Sequence, residues 1–473
     1  MGTINAAFGI MSGTLEADQQ ALNVVANNVA NANTPGYTEE KPDWQENQPL
    51  TIGGISYGQG ATETGATSQR DRVLEERLDQ QQQLASASGS RLTSLNTLQA
   101  LFTPDSGSSS SKAGDLGNDI TNFFDSFSSL EANPTDNALR QNVLSSAGTL
   151  AGDTSNAAAS LNSQRAALDQ ETAGVATQVN ALTGAIAQLN QQIMTNSPTG
   201  DAGTLEDQRQ QDLSQLSQLI GINQITTENN GLAITTTSGQ LLLSEGTSYQ
   251  LTTGLVNGVS GFFLGGTDIT AQLASGGGSL GGDLTARDGD IPGALDALDQ
   301  LAYNISTAVN TQNNAGTTLN GAKGSAANPL NIFDQSTIVA GSAAGMRVAM
   351  TDPNDVAAAG AGKGTGDNSN AVAMAALANR GVVNGQTPTN FYSNFVTTLG
   401  STVSTVQTEN TAQNASVTQL QTQNDALSGV NLNDEASAMT TLERSYQAAS
   451  QVFAMLNTMM ASALNLGEQS TVS

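Results

Sequence analysis

From Asn137 to Met194 the chain keeps an apolar or small residue on one helical stripe: Ala147, Leu150, Thr154, Ala158, Leu161, Leu168, Thr172, Val175, Val179, Leu182, Ile186, Leu189 and Ile193. A continuous helix over that stretch is roughly 85–90 Å long at about 1.5 Å rise per residue. A rod of that length does not fit inside a compact globule. It belongs to a fibrous or strongly elongated protein.

The two ends carry a narrower version of the same signal. Ile4, Phe8, Met11, Leu15, Leu22, Val25 and Val29 recur in steps of three and four, with one gap at Asp18. Met439, Leu442, Tyr446, Ala449, Phe453, Leu456, Met460 and Ala463 do the same near the other terminus. A 3-4 spacing lays such residues along one seam of a coiled coil. Neither helix can bury its seam alone, so the ends are expected to meet, with neighbouring copies covering what remains.

Between the ends the pattern alternates. The first helix should stop near Asn33, because Thr34 precedes Pro35 and is pushed out of the α region. Residues 38–65 read as Gly/Thr/Pro-bearing chain with short extended pieces at Leu50–Ile52 and Ile55–Tyr57. Helices are expected over Leu74–Phe102, Leu116–Leu130 and Leu205–Leu219, with a flexible Asp105–Gly114 linker and a turn at Pro198-Thr199-Gly200. Short β-branched or aromatic runs follow at Ile222–Glu228, Leu232–Thr237, Gln240–Leu243, Tyr249–Thr252 and Gly261–Leu264. Asn-Asn-Gly, Ser-Gly and Asn-Gly turns punctuate them. Helix returns at Gly282–Asn314, with Pro292 near its start or marking a bend. Then come an irregular region with a strand at Arg347–Met350, a helix at Ala371–Asn379 and a long helix from Phe391 to Gly429.

The fold class is therefore mainly α with a small β domain, in an elongated nested architecture. The expected division is an inner terminal-helix coiled coil (1–38 and 430–473), a mainly helical rod domain (39–220 and 279–429) and a β hairpin insertion (221–278).

Composition removes many chemistries. With no cysteine and no histidine there is no thiol nucleophile, imidazole acid-base or Cys/His zinc site. A net charge of −27, from 15 basic against 42 acidic residues, argues against nucleic acid and against an anionic membrane surface. The longest apolar run, Ala371–Ala378, is far too short to span a membrane. No charged n-region precedes an apolar core at the N-terminus, so any export is expected to proceed without a cleaved signal peptide.

Three motifs carry superficial chemistry. Gly276-Gly277-Gly278-Ser279-Leu280-Gly281 matches G-x-G-x-x-G but lacks a flanking parallel sheet, so it reads as a hinge leaving the β region. Gly360-Ala361-Gly362-Lys363-Gly364-Thr365 resembles a phosphate loop, yet Ala357 stands at the first glycine position and Gly364 replaces the Ser/Thr, so it reads as a flexible loop. Asp283, Asp288 and Asp290 lack EF-hand spacing and read as solvated helix-start acids. No cofactor, metal or catalytic residue is assigned.

The end of the first helix is more informative. Ala26, Asn27, Asn28, Val29, Ala30, Asn31, Ala32 and Asn33 run into Thr34-Pro35-Gly36-Tyr37. Val25/Val29, Ala26/Ala30 and Asn27/Asn31 form adjacent i,i+4 pairs, apolar, small and polar. The amides can bond to a neighbouring helix and fix its register, or simply cap a frayed helix end. Both readings stand on the residues alone.

The run from Ala26 to Tyr37 resembles the N-terminal signature of bacterial flagellar rod, hook and hook-associated proteins. The long helices set this chain apart from the mainly β hook and rod members and bring it closest to the hook-associated family at the hook–filament junction. Gly278–Leu284 with Arg287-Asp288, Asp352-Pro353 with Val356–Ala359, Gly366–Ala371, Gly429–Leu432, Ser445–Ala449 and Leu456–Met460 also fit. The resemblance implies a non-enzymatic structural protein of the extracellular flagellum, exported by the type III pathway. It implies a ring of about eleven copies, contacts with the hook protein and the next hook-associated protein, and an export chaperone on the C-terminal helix. Signature residues Ala26 to Asn31 and Asn33 to Tyr37, with heptad residues Ile4, Phe8, Met11, Leu15, Leu22, Val25, Leu442, Tyr446, Ala449, Phe453, Leu456 and Met460, are the implied assembly elements. A hook or distal rod protein is the nearest rival, and predominantly β structure over 137–220 would favour it. A secreted carboxylate-dependent hydrolase acting in the β domain is a rival of another class.

Overall fold

The computed structural model describes residues 2–52, 54–103, 116–197 and 201–468. The expected linker at Asp105–Gly114 and the turn at Pro198-Thr199-Gly200 lie outside the described residues. Helix α1 (Gly2–Asn31) is followed by a ribbon of β1 (Glu40–Glu46), β2 (Leu50–Ile52), β3 (Ile55–Tyr57) and β4 (Ala61–Ser68). Strands β1 and β4 pair antiparallel with a bulge at Asp43/Trp44, and the β2–β3 hairpin closes the far end. The sequence shows only the hairpin, because β1 is polar and charged apart from Pro42 and Trp44, and β4 is built of Ala, Thr, Glu, Gly and Ser, so neither alternates apolar with polar residues. The ribbon has little to bury beyond one side lying on α1, where Ile10 approaches Gly60 closely.

Helices α2 (Arg72–Phe102), α3 (Leu116–Ala132), α4 (Asn137–Asn196) and α5 (Thr204–Leu219) come next. Asp71 and Asp136 cap α2 and α4 by accepting from the first free N–H groups of each helix. The 60-residue α4 is the expected rod, about 90 Å long at 1.5 Å per residue. Its first half joins α2, α3, the later helices and the irregular region around a phenylalanine cluster. There Phe123 meets Phe124, Phe127 and Phe333 at ring-centroid distances of 5.1, 5.4 and 5.4 Å. Its second half packs on α5 and the β insertion in a separate apolar core.

That insertion is a four-stranded meander, β5 (Ile222–Thr226), β6 (Leu232–Thr236), β7 (Leu241–Ser244) and β8 (Thr247–Ser248), followed by β9 (Leu251–Val256), β10 (Val259–Leu264) and β11 (Thr267–Asp268). Two buried or half-buried amides of α4 grip it. Asn190 donates to the carbonyls of Leu232 and Glu245, and Asn180 exchanges a pair of bonds with Leu251.

After the short α6 (Thr270–Ala274), helix α7 (Gly278–Thr285) runs through a π-helical turn, Ala286–Asp290, into α8 (Ile291–Ala315). The turn sits where Pro292 would otherwise meet the carbonyl four residues back, so a wider turn accommodates the ring. The expected strand at Arg347–Met350 is instead an isolated bridge between Phe333 and Val348. Met346 and Met350 are anchored in the core while Arg347 turns outward to Asp334, which leaves too little paired edge for a strand. Helix α9 (Ser369–Ala375) continues as a 3₁₀ turn, and α10 (Pro388–Ser428) returns along α2. Helix α11 (Leu432–Glu468) then lies along α1, so the chain retraces its path from the outside inward.

The G-x-G-x-x-G match serves close packing rather than a hinge. A Cβ on Gly278 would lie 2.4 Å from the Ile220 nitrogen, and one on Gly282 would lie 2.1 Å from the Ala87 carbonyl oxygen. These glycines let α7 touch the backbones of α5 and α2. The three aspartates are partnered rather than solvated, because α2 and the π turn run beside them. Asp283 bonds Ser90, Asp288 pairs with Arg287, and Asp290 takes a two-pronged contact from Arg91 at 2.8 and 2.9 Å. In the Gly360–Thr365 loop, Asp367 accepts from the Gly360 N–H and the loop closes on itself. Among the described residues no helix is long and apolar enough to cross a membrane.

Candidate assembly interface

Helices α1 and α11 run antiparallel: Phe8 stacks on Phe453 at 4.3 Å, and near the other end Asn28 meets Glu435. Ile4, Phe8, Met11, Leu15 and Leu22 are half-buried, as are Leu442, Phe453, Leu456 and Met460, while Val25 and Ala449 are fully buried. Toward the signature the buried seam passes through Ala17, Ala21, Val25 and Asn28. Val29, expected on the seam, is 40% exposed, and Tyr446 points outward too. For Val29 the reason is that the Asn28 amide has taken the seam position. Val452, Met455 and Met459 also lie exposed on α11.

Asn28 is 1% exposed and uses all of its hydrogen-bonding capacity. Its Nδ2 donates to the Glu40 carbonyl at 2.8 Å and to Glu435 Oε1 at 2.9 Å. Its Oδ1 accepts from the Tyr37 hydroxyl at 2.8 Å and from the Glu40 N–H at 3.1 Å. One side chain thereby ties α1, the loop after it, the ribbon and α11. Asn27 and Asn31 do not reach another helix in this chain. Asn31 Nδ2 donates back to Asn27, at 3.1 Å to its carbonyl and 2.9 Å to its Oδ1. Thr34 donates to Asn31 Oδ1, and Gly36, at φ +79°, closes the turn that brings Tyr37 back under the helix.

The signature therefore has two sides. Asn28 and Tyr37 point inward, whereas Ala26, Asn27, Val29, Ala30, Asn33, Thr34, Pro35 and Gly36 are exposed. The inner side continues into a charged network. The Thr38 hydroxyl donates to Asp207 Oδ1 at 2.9 Å, and Arg70 pairs with Asp207 and with Glu75 at 3.2 Å. Arg72 holds Glu206 at 2.9 Å. Glu39 N–H donates to the Ser428 carbonyl at 2.8 Å, closing the exit of α10 against the same loop.

Burial sets the electrostatics here. Desolvation, followed by the charges of Glu40, Asp207 and Glu435, raises the Tyr37 hydroxyl well above its ordinary value, so it stays a donor. Burial also raises Glu435, opposed by the bond from Asn28, and raises Asp207, opposed by Arg70 and Thr38. None of Asn190, Asp207 or Arg70 was singled out by sequence. Their role depends on elements more than a hundred residues apart, or on a polar residue replacing an apolar one on the stripe.

Three family models match successive stretches of the chain. The flagella basal body rod protein model matches residues 10–38, the flagellar hook-associated protein FlgK helical domain model matches 105–327, and the flagellar basal body rod FlgEFG protein C-terminal model matches 422–466. The chain is similar to flagellar hook-associated protein 1. Flagellar hook-associated protein 1 of Escherichia coli is 29% identical over 330 residues, covering 66% of this chain and 58% of the relative. The Bacillus subtilis protein of the same name is 26% identical over 354 residues, covering 66% and 67%. The chain thus spans somewhat over half the length of the enterobacterial relatives it matches. The structure of the flagellar hook junction protein FlgK from Burkholderia pseudomallei superposes with a TM-score of 0.64 at 18% identity. That match covers 74% of this chain and 99% of the other, and it places this chain in the same mainly helical fold.

Proposed function

We propose that the chain is a structural, non-enzymatic axial protein that joins hook to filament in the bacterial flagellum, assembling through its terminal helices. The observation that carries this is the terminal pair itself. It is closed on one side by Asn28 and the Phe8–Phe453 contact, and it leaves Val29, Val452, Met455, Met459 and most of the signature exposed. Apolar residues displayed along a paired helix are what further copies would cover.

In this reading residues 1–38 with 430–473 form the inner layer, 39–220 with 279–429 the helical domain, and 221–278 the outward β domain. The partners are copies of the chain in a ring of about eleven, the hook protein below, the next hook-associated protein above, and an export chaperone on the C-terminal helix before assembly. The protein is exported through the flagellar type III pathway.

A hook or rod role is disfavoured by Asn137–Asn196 and Thr204–Leu219, which are helical in α4 and α5 rather than β. For the hydrolase reading, the pocket beside the β insertion holds only about 80 Å³, and its Glu75 and Glu206 are committed to Arg70 and Arg72. Deleting the gene in its host tests the proposal. The expected phenotype is a completed hook without a filament and flagellin in the medium, restored by the wild-type chain. Normal filaments, or arrest before the hook, would overturn it.

A further inference from the structure

The β2–β3 hairpin at the far end of the ribbon leaves one apolar face exposed. Leu50 pairs across with Tyr57, and Ile55 stands two residues from Tyr57, so the three side chains share a face. Leu50 and Tyr57 are each 45% exposed and Ile55 is 60% exposed. Thr51 and Ser56, partners across the hairpin, take the other face. Two strands of three residues hold little by themselves in water, so such a face needs a partner. A second exposed apolar stripe, Val452, Met455 and Met459, runs along α11 in steps of three and four.

The two patches lie at the same level of the terminal pair. Ile10 of α1 meets Gly60, where the ribbon gives way to the hairpin, while Phe8 meets Phe453, which sits between Val452 and Met455. At 3.6 residues per turn, positions two apart on a helix point about 200° apart. Helix α1 therefore stands between the ribbon and α11 at this level, and one chain does not close its own patches on each other. Charge points the same way. Copies of net charge −27 repel one another, yet residues 1–15, 47–62 and 445–467 contain no charged side chain. We propose that the hairpin face of one copy seats on the Val452–Met455–Met459 stripe of the next. This rests on the reading of the chain as a self-assembling axial protein and names one contact within that assembly. The contact is heterologous, hairpin to helix, so it repeats from copy to copy and can close a ring.

The chain has no cysteine, so introduced thiols report the contact. Full-length Ile55→Cys and Tyr57→Cys are each mixed with Val452→Cys, Met455→Cys or Met459→Cys, oxidised at high protein concentration and digested, and the linked peptides are read by mass spectrometry. Two thiols join only where their Cα atoms come within about 7 Å, and the capture needs no long-lived oligomer. The positions are exposed, so each variant should keep the native circular dichroism. At least one mixture should give about tenfold or more hairpin-to-helix product than the same stripe variants mixed with Thr51→Cys, on the polar face. No excess over Thr51→Cys in any mixture would overturn the proposal. So would a cyclised monomer, in place of linked oligomers, from a chain carrying both Ile55→Cys and Met455→Cys. Failure here in a chain that still restores filaments removes this contact alone. Cross-linking by a chain that restores no filament removes the junction role and leaves the contact standing.

Discussion

Replacing Asn28 by alanine should unlock the terminal helices from the rod without unfolding the rod. The substitution removes four hydrogen bonds at once. Glu40 is half-exposed, so its N–H and carbonyl can turn to water. The Tyr37 hydroxyl and the 5%-exposed Glu435 carboxylate are the groups left stranded. At about 1 kcal/mol for a neutral bond and about 1.5–3 kcal/mol for one to a charge, the expected local loss is about 3 kcal/mol. Since 1.4 kcal/mol is a factor of ten, local opening should become about 10²-fold more frequent. Hydrogen exchange with mass spectrometry reads this directly. Peptides over 37–46 and 432–440 should exchange faster, while the α4 segment 147–161 should not change. Unaltered exchange at the junction, or an equal rise along α4, would refute the reasoning. Asn28→Asp sharpens the test by placing a second carboxylate beside Glu435. Protonating either acid relieves the repulsion, so this variant should recover protection as the pH falls.

The other expectations concern packing, protons and assembly. Gly282→Ala puts a methyl 2.1 Å from the Ala87 carbonyl oxygen, so α2 and α7 must separate. A loss of about 1–3 kcal/mol or more is expected in denaturant melts, whereas Gly289→Ala, which meets nothing, should be tolerated. Burial pushes Asp79 up to about 7 from 3.8, against the pull of Gln210 and Gln224. Its contribution to stability is therefore fully present below pH 3.8 and is lost as pH rises through about 7. The slope from this group is at most about 1.4 kcal/mol per pH unit, and Asp79→Asn should abolish it in melts across that window. Asn27→Ala with Asn31→Ala removes amides that bond each other and the Thr34 hydroxyl but reach no other helix in this chain. It should impair assembly, seen by sedimentation, more than the melting of the monomer; equal losses would remove any special role for the pair.

The local periodicities were legible because each reports a single element. The α4 stripe predicts a helix that the structure forms from Asn137 to Asn196, and the Asn-Gly turns predict hairpins that close with Asn257 and Gly258 at positive φ. The ribbon at 40–68 was only half legible. A two-stranded ribbon lying on one helix needs no apolar alternation, and alternation is the signal that sequence offers for a strand.

What the sequence by itself determined is an elongated, mainly helical chain whose ends need each other. The heptads and the Ala26–Tyr37 run specify that, since a one-sided apolar helix cannot stay solvated. Only the tertiary structure decided which asparagine matters within the run. Asn27, Asn28 and Asn31 look alike as text, but α11 lies on the face of α1 that carries Asn28, which leaves Val29 outward. Once buried, an amide must find partners for all its donors and acceptors, and Glu40, Tyr37 and Glu435 supply them from places no local pattern connects.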